Sequence, residues 1–128
     1  MFGAKINRQP GPINEDALQM LRDKKLQKFS EVVTVDNEFL GTAVYLHLRQ
    51  DDINADLKLY AAYLDVANLK MGVHFYVPTD FIQEYDTEHN QVILNVPFAG
   101  VQAENWDREP DFIARHLHKI EELEKPEA

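Results

Sequence analysis

The stretch from Phe75 to Phe98, FYVPTDFIQEYDTEHNQVILNVPF, constrains the fold of this chain more than any other. Two apolar runs rich in β-branched and aromatic residues flank the polar segment Asp86-Thr87-Glu88-His89-Asn90. That pattern predicts an antiparallel strand pair with a solvent-facing turn. Val73, Phe75 and Val77 point one way, His74 and Tyr76 the other, and Val92, Leu94 and Val96 supply a core-facing row. Pro78 ends its strand or places it at a sheet edge, and Thr79-Asp80 opens a local turn before Phe81 and Ile82.

The same period recurs upstream. Glu31 to Val35 reads as a strand, Asp36-Asn37 as a tight turn and Phe39-Leu40-Gly41 as the start of its partner. Gly41 implies a bulge or a close backbone approach. Thr42, Val44, Leu46 and Leu48 then alternate with Ala43, Tyr45, His47 and Arg49, so one face is core. Lys58 to Leu69 is apolar on both faces and predicts a further strand with little solvent on either side.

The flanks read differently. Residues 1–13 hold two glycines and two prolines and predict an irregular arm, after which Asn14 can cap a helix carrying Ala17, Leu18, Met20 and Leu21 on one side. The cluster Arg22-Asp23-Lys24-Lys25 is a solvated helix face. Pro97 to Glu104 predicts a short helical turn, and the sole tryptophan, Trp106, a lid over the end of the core. Pro110 suits the first turn of a final helix in which Ile113, Leu117, Ile120 and Leu123 form a stripe, to be buried on this chain or on a second copy.

The succession Val35-Asp36-Asn37-x-x-Leu40-Gly41, then Tyr76-Val77-Pro78, then Val92-Ile93-Leu94-Asn95-Val96 resembles the PRC-barrel family, as does the ending Trp106-Asp107-Arg108-Glu109-Pro110-Asp111-Phe112. The resemblance covers roughly Leu26 to Phe112. It implies a mainly β fold, a small five- or six-stranded antiparallel barrel with flanking N- and C-terminal helices. It also implies an interaction module, since no catalytic residue set defines the family. The chain departs from the pattern at Asn37, where glycine is common, and in the lengthened segment Arg49 to Ala61. The expected organisation is an arm and helix over 1–29, the barrel over 30–98 and a C-terminal helical extension over 99–128.

Chemistry is sparse by comparison. With no cysteine, disulfide frameworks, thiolate zinc sites and cysteine nucleophiles are all excluded. Ser30 is the only serine and lies outside any nucleophile-elbow pattern, and the five glycines form no phosphate-binding loop. Asp52-x-Asn54-x-Asp56 has the spacing that opens an EF-hand loop, but Leu57 and Tyr63 stand where its glycine and bidentate glutamate belong. Asp80, Glu84 and Asp86 form a carboxylate group whose convergence sequence cannot show. No enzyme and no cofactor are expected.

The 22 acidic against 13 basic residues give a net charge of −9, which repels nucleic-acid phosphate and anionic lipid; this acidity reads first as a solubility device and leaves a basic partner surface open as an alternative. No run approaches a membrane span or a signal-peptide core, and a cytoplasmic location is the expectation. A chain of 128 residues fits one domain that buries roughly 65–70% of its unfolded surface. The sequence thus points to a non-catalytic interaction or scaffold module, engaging a protein partner or a second copy. The alternatives are a small-ligand or metal-binding barrel and a ribosome-assembly accessory factor. The candidate surface comprises Tyr45, His47, His74, Tyr76, Trp106, Leu117 and Ile120.

Overall fold

A computed structural model describes residues 16–49, 62–114 and 118–125. The Asn14 cap, the Asp52 to Asp56 loop, the start of the run at Lys58, and Leu117 lie outside the described residues. Helix α1 (Asp16–Asp23) leads into strands β1 (Glu31–Val33) and β2 (Phe39–Arg49), then β3 (Ala62–Asn68) and β4 (Val73–Pro78). A one-turn 3-10 helix, η1 (Thr79–Phe81), connects to β5 (Ile82–Asp86) and β6 (Gln91–Leu94). Two short helices, α2 (Phe98–Ala103) and α3 (Asp111–Ala114), precede β7 (His118–Glu122).

The strands form one mixed sheet in the order β4-β3-β2-β1-β6-β5, with β7 also paired to β2. The β5–β6 pair is antiparallel around a turn at 87–90, as the sequence predicts, while β1 and β6 run parallel. The expected antiparallel barrel is not what forms. The sheet stays open because β4 and β5, the two ends of its path, do not pair. The outer edge of β4 is already spent: the Tyr76 N–H donates to Trp106 O at 2.8 Å, and Pro78 has no N–H to give a further strand.

The second correction is at the C-terminus, where β7 replaces the predicted helix. Strand β1 is three residues long and covers only the Phe39–Thr42 end of one edge of β2. Unpaired backbone groups from Tyr45 to Arg49 would remain on that edge, and β7 satisfies them in antiparallel register, Tyr45 opposite Glu122 and His47 opposite Ile120. A bidentate pair between Arg22 and Glu121, 2.7 Å at its shorter contact, ties β7 to α1.

Two irregularities shape β2. Its register against β3 slips between Ala43 and Tyr45, so the strict alternation expected through Val44 breaks and Ala43, fully buried, joins Leu46 on the core side. At Gly41 a Cβ would lie 2.5 Å from Ala67 O, the close backbone approach that only glycine allows. Asn37 adopts a left-handed φ of 66° in the β1–β2 turn, a conformation asparagine tolerates where glycine is usual.

The core lies on one side of the sheet, where Leu46, Leu64, Val66, Phe75, Val77, Val92 and Leu94 pack under Leu18 and Leu21 of α1. A buried polar knot joins the entry to β1 with the β5–β6 hairpin. Ser30 Oγ lies 2.6 Å from Gln27 O and 2.7 Å from Asn90 Oδ1, and the Tyr85 hydroxyl donates to that same amide oxygen. The only serine of the chain is thereby held in a structural network.

Candidate functional site on the outer sheet face

Cross-strand register decides which side chains share the face opposite the core. Tyr45 stands opposite Asp65, and Asp65 opposite Tyr76; His47 stands opposite Tyr63 on one side and Ile120 on the other. His74, two residues before Tyr76, lies on this face as well. Five of the seven residues singled out in the sequence, Tyr45, His47, His74, Tyr76 and Ile120, are thus brought to one face of the sheet, where His47 is buried. Leu117 lies outside the described residues. Trp106 is elsewhere: it is buried in the core cluster with its ring 5.0 Å from that of Phe81 in η1, which makes it a core lid and removes it from the surface.

Asp65 is the residue that sequence reasoning missed. Its carboxylate accepts from His47 Nε2 at 2.9 Å and from His74 Nδ1 at 2.6 Å, so one side chain ties β2, β3 and β4 together. His47 and Asp65 are buried, whereas the His74 side chain is 51% exposed. Burial alone would raise the Asp65 pKa, but the hydrogen bonds from both imidazoles and the attraction of their charged forms outweigh it and hold the group below its ordinary value. The Tyr76 ring lies 5.9 Å from His47 and is stacked with His74 at 6.3 Å. Burial, followed by the charges of Asp65 and Glu109, pushes the Tyr76 hydroxyl up. A lone aspartate in a run of apolar residues was the available signal, since a strand with both faces covered has no place for an unpartnered carboxylate.

The other end of the face is apolar and cationic. Phe29, just before β1, is 56% exposed and Ile120 on β7 is 55% exposed. Lys28 Nζ lies 4.8 Å from the centroid of the Tyr45 ring and 5.4 Å from that of Phe29. Phe29 holds a left-handed backbone φ of 71°, which is unfavourable for a bulky residue.

Other candidates separate. Asp80 is in η1, Glu84 is exposed on β5, and Asp86 accepts from His89 Nδ1 at 2.7 Å, an interaction that lowers its pKa. Among the described residues no group of three histidine or carboxylate side chains is arranged to hold a metal ion, and no helix is long and apolar enough to cross a membrane. No protein-family model, curated protein or solved structure matches this chain.

Proposed function

We propose that this chain is a non-catalytic interaction module that engages a protein partner through the outer face of β7, β2, β3 and β4. The observation that carries this reading is the pair of half-exposed hydrophobics, Phe29 and Ile120: Lys28 bridges the Phe29 and Tyr45 rings, and Ile120 stands opposite His47 on the face that also holds Tyr45, His74 and Tyr76. Aromatic residues are enriched where proteins dock, because they offer rigid contact area at low entropic cost.

The test is native mass spectrometry of the tagged chain, gently purified from its own source cells, beside the Ile120→Asp variant. A complex heavier than the 14.8 kDa chain is expected for the parent protein and is lost in the variant, with circular dichroism unchanged. A bare monomer, or a complex that survives Ile120→Asp in a folded chain, would remove the reading.

A second reading is favoured by one observation, the convergence of His47, His74 and Tyr76 on the Asp65 carboxylate. A polar and aromatic cluster of this kind suits a small hydrogen-bonding ligand docked against His74 and Tyr76. Such a ligand, selective for the folded state, would raise the melting temperature at saturation. An unchanged melting temperature across a metabolite panel counts against it.

A further inference from the structure

Lys28 shows what the apolar end of the face can hold. Its ammonium lies within cation–π range of two rings at once, 4.8 Å from Tyr45 and 5.4 Å from Phe29, and both rings belong to residues whose side chains the core does not require. Glu122, exposed on β7, faces Tyr45 directly across the strand pair. Two aromatic faces around one ammonium form a receptor for a cation. In the free chain that receptor is filled by the protein's own lysine.

We infer that the Phe29–Tyr45 pair is a recognition site for a lysine or arginine side chain on a basic segment of a protein partner, and that Lys28 holds the site until the partner displaces it. This rests on the proposed docking through the outer face and specifies the chemistry of its occupant. Three features support that choice over a second copy or an acidic partner. The site already accommodates an ammonium, the exposed Glu122 stands opposite Tyr45 across the strand pair, and the net charge of −9 draws a basic chain in and opposes self-association. The exposed Ile120, two residues from Glu122 on the same face of β7, gives an apolar side chain of the same segment somewhere to rest.

Because Lys28 competes with the incoming cation, its removal tightens binding, as occupancy of a binding-competent state by an internal group lowers apparent affinity. The probe is a fluorescein-labelled decapeptide of alternating lysine and leucine, followed by anisotropy at two salt concentrations, with a glutamate-for-lysine peptide as the control. Lys28→Met is expected to bind the basic peptide about two- to fivefold more tightly than the parent chain, the range that one exposed cation–π contact spans. Lys70→Met, which removes the same charge at the exposed β3–β4 turn, is expected to change binding much less.

Tyr45→Leu and Phe29→Leu keep the charge and an apolar side chain but remove a π face, and each is expected to weaken binding by a similar factor. Equal affinity in the parent, Tyr45→Leu and Phe29→Leu chains would overturn the proposal, as would an equal gain from Lys28→Met and Lys70→Met. Ile120→Asp separates the two levels of the argument. If it abolishes peptide binding while the leucine variants do not weaken it, the face docks a partner without reading its cation. If Lys28→Met, Tyr45→Leu, Phe29→Leu and Ile120→Asp all bind the peptide as the parent chain does, the docking face itself is wrong.

Discussion

Phe29 combines two costs that a purely structural residue would not carry together. Its left-handed backbone is disfavoured by about 1–2 kcal/mol for a residue with a Cβ, and more than half of its surface remains in water. The half that is buried returns about 1 kcal/mol, so the ring adds almost nothing to the stability of the fold. Phe29→Asn, which relieves the backbone because asparagine tolerates this conformation, is therefore expected to leave the urea unfolding free energy within about 0.5 kcal/mol of the parent chain. A loss above about 2 kcal/mol would show that the ring is a structural group after all. Gly41 presents the opposite case in legibility. A glycine inside an alternating strand announces a close approach, and the contact with Ala67 O is that approach, whereas nothing in Lys28-Phe29-Ser30 signals a positive φ at the phenylalanine.

At the scale of elements, local periodicity identified the hairpins and failed where a distant edge decided the outcome. The β1–β2 turn, the β5–β6 pair, the end of β4 at Pro78 and the helical turn after Pro97 all follow from residues within a few positions of one another. The spacing of Ile113, Leu117, Ile120 and Leu123 suits a helix equally well on local grounds. Strand β7 forms there because β2, some seventy residues earlier, leaves an edge to be satisfied, and a window over the C-terminus cannot see that edge. Asp65 was hidden for a related reason, since its partners His47 and His74 lie on neighbouring strands and meet it only diagonally across the register.

The carboxylate that joins these three strands also gives them a pH dependence. The pKa of Asp65 is lower in the folded chain than its ordinary 3.8, so the ionised form stabilises the fold. That contribution is fully present above the unfolded value and is lost as pH falls through the lowered one. Asp65→Asn is expected to cost about 1–3 kcal/mol at neutral pH, the range for a buried hydrogen bond to a charged group. The gap between variant and parent should then close as pH falls below 3.8. A gap that persists unchanged at acid pH would mean that Asp65 contributes through packing and not through its charge.

For the molecule as a whole, the question is what holds together a sheet whose two path ends do not pair. The β4 and β5 ends are joined in sequence by η1, and the gap left by the missing ladder is filled by side chains. Phe81 of η1 meets the Trp106 ring at 5.0 Å, and the Trp106 backbone takes the free N–H of β4 through Tyr76. One residue therefore both blocks the edge of β4 and packs against the turn that leads to β5, and hydrophobic burial does there what hydrogen bonds would do in a closed barrel. Since Trp106 is the only tryptophan and is 8% exposed, its fluorescence reports on this seam alone. Its native emission should be blue-shifted and poorly quenched by acrylamide, shifting to the red on unfolding. Trp106→Ala should cost about 3–5 kcal/mol, the usual range for removing a large buried aromatic, and Trp106→Phe less, because a smaller ring still reaches Phe81. Emission already at the wavelength of water-exposed indole in the native chain, with ready quenching, would mean that the seam is open and that something other than Trp106 holds the two ends of the sheet in place.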